Sequence, residues 1–217
     1  MSKQLQTGPE ARFNEYPILE VLLELGIVPK DIDSGLVCSL DSPVLDVGCG
    51  RHANLVRHLS GYGFRTEGVD PEILDELVNK DYLMKQKANQ IPRGDGYYGA
   101  AVSHMSLYQD GMIFPAFILP KEGEGNRLEA YKDFYRKNFR AELMATLEEI
   151  RRVLKPGSDF IIYPFPSLWF LEDGLRLKMR GYKFIQQDVP SILNPVPPGM
   201  EELGFEYFKR LVIKMPQ

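Results

Sequence analysis

Cysteine is scarce in this chain, with two in 217 residues, Cys38 and Cys49. That count excludes the disulfide framework with which small secreted domains make up for a thin core. Histidine is nearly as rare, with three. His52 and His58 do not have the spacing of one helical turn, and no carboxylate or third histidine converges on them, so no metal is expected. Charge of one sign is also wanting. Lys and Arg number 26 against 30 Asp and Glu, a formal net charge of −4. Proteins that follow long stretches of phosphate backbone carry a basic excess, so a nucleic-acid partner is disfavoured. Arg136, Lys137 and Arg140 cluster locally, but on a helix such a group reads as a solvated face. No apolar run approaches transmembrane length. The opening Met-Ser-Lys-Gln-Leu-Gln-Thr-Gly lacks the apolar core of a signal peptide. The expectation is a cytoplasmic protein with no membrane partner.

What is present suits one buried core: 44% apolar and 26% charged residues. With neither repeat nor linker, residues 1–217 read as a single domain, with 1–40 as an N-terminal helical cap. Within that cap Pro17 to Gly26 reads as an amphipathic helix stopped by its glycine. Strands and helices then alternate. Val44 to Val47 is a short buried strand, and Leu55, Val56 and Leu59 recur at helical spacing after it. Phe64 to Val69 is a second strand, Glu72 to Asn79 a short helix, Tyr82 to Gln86 a third strand and Tyr97 to Ser103 a fourth. Tyr131, Tyr135, Phe139, Leu143 and Leu147 predict one long helix over 127–154, ended by Pro156-Gly157. Asp159 to Tyr163 follows as a fifth strand, then a helix over 168–180. Tyr182 to Gln187 and Tyr207 to Met215 close the chain as strands. Such alternation predicts an open, mostly parallel sheet covered on both faces, a Rossmann-like doubly wound α/β fold.

The richest constellation is Val44-Leu45-Asp46-Val47-Gly48-Cys49-Gly50-Arg51-His52-Ala53. A strand enters a glycine turn that opens a helix. Gly48 and Gly50 let the backbone turn sharply and approach a ligand closely. Asp70 closes the next strand about twenty residues on, where an acid accepts hydrogen bonds from ribose hydroxyls. Two readings compete. Gly48-x-Gly50-x-x-Ala53 matches the dinucleotide fingerprint. Asp46, however, would repel a pyrophosphate at the helix N-terminus. A ligand with an ammonium group and no phosphate would welcome it, and S-adenosylmethionine is such a ligand.

Val-Leu-Asp-Val-Gly-Cys-Gly, then Glu-Gly-Val-Asp-Pro, then Arg-Val-Leu-Lys-Pro-Gly before Phe-Ile-Ile resembles the class I S-adenosylmethionine-dependent methyltransferase family, in the family's order over residues 40–165. The resemblance implies a seven-stranded sheet whose last strand runs antiparallel. It implies S-adenosylmethionine as cofactor, with Asp46, Gly48, Cys49 and Gly50 at its methionine part. Asp70 and Pro71 would lie at the ribose, and Ala88, Asn89 and Ser103 would complete the site. The chain departs from the family at His52, where a third glycine is common. It departs again at Lys87, where an acidic residue usually accepts from the adenine amino group; a charged lysine only donates. Asn89 or the backbone would then read the adenine.

Methyl transfer is an in-line displacement for which a protein mainly aligns the nucleophile and excludes water. Ser103, His104, Met105 and Ser106, beyond the fourth strand, would face the methyl group. His104 is the candidate base there, the alternative being a histidine packed at the strand end. Cys49 reads as a small loop residue. Neither Asn/Asp-Pro-Pro-Tyr nor Pro-Cys, marks of DNA-methylating enzymes, occurs at that place. The apolar segment 110–127 reads as an insertion facing the substrate or an interface, which makes a homodimer conceivable. Pro164 to Phe170 reads as core or as a second aromatic wall. The expected function is methyl transfer to a small molecule or a protein side chain. The alternative is a non-catalytic, methyltransferase-like partner subunit, and a nicotinamide enzyme is the third reading.

Overall fold

The computed structural model describes residues 42–61, 65–78, 80–104, 127–163, 167–188 and 209–216. The N-terminal helical cap, the helix at Pro17, nearly all of the 110–127 insertion and the prolines between 190 and 198 lie outside the described residues.

Seven strands form one sheet: β1 (Val44–Val47), β2 (Thr66–Val69), β3 (Leu83–Met84), β4 (Tyr98–His104), β5 (Leu154–Tyr163), β6 (Lys183–Asp188) and β7 (Lys209–Lys214). Their order is β3-β2-β1-β4-β5-β7-β6. β1 pairs in parallel with β2 and β4, β2 with β3, and β4 with β5, while β7 runs antiparallel to both β5 and β6. The strand order therefore reverses between β1 and β4. At such a switch point the connections leave on opposite faces, opening a crevice at the strands' carboxyl ends where α/β sheets bind ligands.

Among the described residues the helices are α1 (Asn54–Gly61), α2 (Arg127–Asn138), α3 (Arg140–Val153) and α4 (Ser167–Met179). The period of two along the strands divides the core. Leu45, Val47, Phe160, Ile162, Leu211 and Ile213 share one cluster with Leu147 and Ile150 of α3 and Leu177 of α4. Val44, Val102, Ile161 and Val212 share another with Leu55 of α1. Asp46, two residues after Val44, takes this second face. Among the described residues, no helix is long and apolar enough to cross a membrane.

Four elements differ from their sequence-based expectation. The long helix is two, broken at Phe139 with φ −122° and ψ −29°. Apolar side chains four apart advance roughly 40° per step around a 3.6-residue helix, so five of them cannot hold one face of a straight rod. The break lets Phe139 meet Phe134 at 5.5 Å between ring centroids. It also turns Arg140 inward, onto the buried Asp173 of α4, with Nη2 2.6 Å from Oδ1. Arg140 is thus not part of a solvated face. The helix over 72–79 reduces to a 3-10 turn at Asp75–Leu77, because turn bonds from Lys80 to Leu77 and from Leu83 to Lys80 already lead the chain into β3. β3 keeps only two residues. β5 starts directly after α3, and Pro156-Gly157 lies inside it. There the register moves from Tyr98↔Leu154 to Ala100↔Asp159, an irregularity that Gly157 permits with its φ of 78°.

Glu67 fastens the other end of the sheet, accepting hydrogen bonds from Arg93 Nε at 2.8 Å, Tyr97 Oη at 3.0 Å and Tyr98 Oη at 2.8 Å. On β2, Gly68 has no room for a side chain. A Cβ there would lie 2.8 Å from both Cys49 Sγ and Val56 Cγ2. Gly68→Ala is expected to destabilise the fold by about 1–3 kcal/mol, the usual cost of overpacking. Urea unfolding measures this, and adding Cys49→Ala should return part of the loss by removing one of the two clashes.

Candidate active site at the carboxyl ends of the first strands

The turn after β1 is built on left-handed backbone: Gly48 at φ 73°, Gly50 at φ 70° and Ala53 at φ 47°. For Gly50 the dihedral is the only demand, since an added Cβ would meet nothing within 4 Å. Ala53 pays the steric cost of the left-handed region in order to bury its methyl with Val56 and Ile73. Nothing in the residue type signalled that conformation.

The turn is tied to the end of β2 through its own amides. Gly48 N–H donates to Val69 O at 2.8 Å, Cys49 N–H to the same carbonyl at 3.3 Å, and Gly50 N–H to Asp70 Oδ2 at 3.0 Å. Glu72 N–H donates to Asp70 Oδ1 at 2.7 Å. Asp70 is therefore first a clasp between the glycine turn and the segment after β2. A carboxylate has about four lone-pair positions, so each of its oxygens can still accept from a ligand. The amides of Gly48, Cys49 and Gly50, which could otherwise turn to a phosphate, are thus already bonded within the protein.

Asp46 lies beneath this turn with 2% of its surface exposed. Among the described residues, no hydrogen bond or ion pair engages its carboxylate. Burial, and secondarily the charge of Asp70, push its carboxyl up to about 7. A buried carboxylate without a partner is costly, and a cationic ligand group reaching it would relieve that cost. Burial first, then Asp46 and Asp70, push the Cys49 thiol upward. It stays protonated, packed over Gly68, and is not a thiolate nucleophile.

The remaining expected site residues fall on either side. Pro71 is exposed directly after Asp70. Asp70 N–H donates to Met84 O at 3.1 Å, joining the β2 end to β3. The chain then turns through Ala88 and Asn89, with Gln90 N–H donating to Lys87 O at 3.0 Å. Ala88 packs against the main core. Asn89 Oδ1 is buried without a hydrogen-bond partner among the described residues. Lys87 reaches away to Glu142 of α3, Nζ to Oε1 2.8 Å. That partner is far off in sequence, and no local pattern announced it. Ser103 is buried near the end of β4. His104 ends that strand opposite Tyr163. Its side chain, and those of Met105, Ser106 and the Pro164 to Phe170 stretch, lie outside the described residues.

No protein-family model matches the sequence, and curated proteins yield no match. Solved structures do. The chain is similar to the Burkholderia thailandensis 1,6-didemethyltoxoflavin-N1-methyltransferase, which was solved with 1,6-didemethyltoxoflavin and S-adenosylhomocysteine bound. That match has a TM-score of 0.50 at 16% identity and covers 96% of this chain and 80% of that one. A presumed methyltransferase from Haloferax volcanii, in complex with the Trm112 methyltransferase activator, matches with a TM-score of 0.52 at 16% identity, over 99% and 98% of the chains. A SAM-dependent methyltransferase from Archaeoglobus fulgidus matches with a TM-score of 0.50 at 15% identity, over 94% and 93%. The chain has the class I S-adenosylmethionine-dependent methyltransferase fold, with the seven-stranded sheet and antiparallel last strand that the motif resemblance implied.

Proposed function

We propose that the protein is an S-adenosylmethionine-dependent methyltransferase acting on a small molecule or an exposed protein side chain. The observation that carries this reading is Asp46, a buried carboxylate with no partner among the described residues, under a glycine turn whose amides are already bonded. Such a site suits an ammonium group and repels a pyrophosphate, which favours S-adenosylmethionine over a nicotinamide dinucleotide. The fold supports the same choice, although fold alone does not fix function.

On this reading Asp46 holds the amino group of the methionine part, and the Gly48-Cys49-Gly50 turn lies against that part. Asp70 receives the ribose hydroxyls on the lone pairs left beside its two backbone donors, with Pro71 next to it. When bound, the cofactor supplies a methyl group already activated on a sulfonium centre. The chain's task is to orient the acceptor beside the β4 end and keep water out. Ser103 lines that end, and His104 takes a proton from an acceptor that must lose one.

Isothermal titration with S-adenosylmethionine and S-adenosylhomocysteine tests this, with NAD as control. Dissociation constants of roughly micromolar order, about −8 kcal/mol, are expected for both sulfur ligands and no heat for NAD. Silence towards both, or binding of NAD alone, would sink the proposal.

A further inference from the structure

We propose that the outward side of α4 is a docking surface for an acidic, amphipathic helix of a partner protein. α4 packs inward through Leu177, which is 1% exposed, and Asp173, which has no exposed surface. Its other side carries Leu175 and Met179. At 73% and 83% they are the two most exposed large apolar side chains among the described residues. A single exposed apolar residue is ordinary on a protein surface. Here the two stand together, because a helix turns about 100° per residue and positions four apart share one stripe. They form a ridge about 6 Å long, on the side turned away from Leu177.

Charge fixes the kind of partner. Arg176 and Lys178 are both exposed and stand on opposite flanks of the ridge. Arg180 and Lys183 follow, so Leu175 to Lys183 holds four cations and no acid in a chain of net charge −4. Arg180 meets Glu148 at 2.7 Å, and Arg176 lies 4.0 Å from Asp173, which already serves Arg140 and Tyr135. This is the layout of one side of a coiled coil: apolar positions meet the partner, and the residues beside them choose it by charge. With both flanks basic, a helix bearing acids beside its own apolar stripe fits in either direction. A second copy of this face would set cation against cation, which disfavours self-association through it. An anionic membrane would attract the cations, but two apolar side chains give it little area to hold.

The ridge is also preorganised. Beyond Met179 the chain stops in a tight turn, with Arg180 N–H and Tyr182 N–H donating to Leu177 O at 2.9 Å and 3.2 Å, and Gly181 N–H to Lys178 O at 3.0 Å. Little ordering is then left to offset on docking. α4 covers the sheet face opposite to the one that Asp46 takes, so the surface stands whether or not the cofactor assignment does.

The test uses the full chain and two labelled peptides of about three heptads, with leucine at the apolar positions and either glutamate or lysine at the flanking ones. Like charges keep each peptide from pairing with itself. Fluorescence anisotropy should give the glutamate peptide a dissociation constant on the order of 10 μM, with the lysine peptide at least about tenfold weaker. Leu175→Ser combined with Met179→Ser should weaken the glutamate peptide about tenfold or more. Arg176→Glu combined with Lys178→Glu should reverse the preference between the peptides. Unchanged thermal midpoints show that the variants keep the fold. Equal binding of the two peptides, binding of neither, or affinities that do not move in the folded variants overturns the proposal. A dimer of the chain alone, or binding to phosphatidylserine vesicles, that the serine variant abolishes also overturns it, because the ridge would then belong to a second copy or to a lipid surface.

Discussion

Asp46→Asn is expected to raise stability in neutral and alkaline buffer while removing S-adenosylhomocysteine binding. The two effects have one cause. The Asp46 carboxyl titrates near 7 in the folded protein, against 3.8 for the ordinary group. Between those values the folded state holds a proton that the unfolded chain has released. Stability therefore falls as pH rises through the window, and the loss is nearly complete just above pH 7. A difference of about three pKa units corresponds to on the order of 4 kcal/mol. Asparagine keeps the shape without the charge, so its advantage should be about 2–3 kcal/mol larger at pH 8 than at pH 5. Urea unfolding of both proteins at the two pH values measures it. Binding runs the other way. Only the ionised carboxylate attracts the ligand's ammonium, so wild-type affinity should be about tenfold weaker at pH 6 than at pH 8. In Asp46→Asn it should be at least about a hundredfold weaker than wild type and flat across that range. Equal affinities in the two proteins would remove Asp46 from the site.

Asp173→Ala is expected to cost about 3 kcal/mol, the second large effect and one of stability alone. Asp173 has no exposed surface. It accepts from Tyr135 Oη at 2.9 Å and from Arg140 through Nε at 3.0 Å and Nη2 at 2.6 Å. The three residues come from α2, α3 and α4, so one carboxylate fastens three helices at the break after Asn138. Removing the anion from a buried cluster leaves its donors facing an apolar gap, which typically costs about 3–5 kcal/mol. Arg140 retains some access to water and sets the lower end of that range. For a chain of this size the melting temperature should drop by roughly 6–12 °C. Asp173→Asn, which keeps an acceptor oxygen but not the charge, should lose distinctly less. Equal losses for the two variants would show that packing, and not the shared acceptor, holds the helices.

Local rules made the stretch from Val44 to Asp70 legible. A short buried strand, two glycines and a helix with Val56 and Leu59 on its inner face are all set by neighbouring residues, through side-chain period and backbone freedom. β1, the glycine turn and α1 stand where the pattern predicted them. Asp70 at the end of β2 and the buried Asp46 of β1 stand where the pattern put them, for the same reason. The order of the motif segments carried the fold, because parallel strands with crossover helices admit few arrangements.

Contacts between distant residues decided the rest. The occupation of Asp70 by Gly50, the pairing of Lys87 with Glu142 and the shared anion at Asp173 join residues 20, 55 and 33–38 positions apart. No period or spacing encodes such pairs, since each forms only after separate elements pack. The break at Phe139 has the same origin: five apolar residues in steps of four suggest one helix, but a helix cannot keep them on one side. The tertiary structure resolved that conflict by bending the chain and turning Arg140 onto the buried Asp173. The sequence by itself determined which side chains exist to meet a cofactor and which strands present them. Only the tertiary structure decided which of those groups are already satisfied within the protein and which, like Asp46 and Asn89 Oδ1, are buried without a partner among the described residues. That distinction depends on burial and on long-range hydrogen bonds, which are properties of the packed chain and of no segment within it.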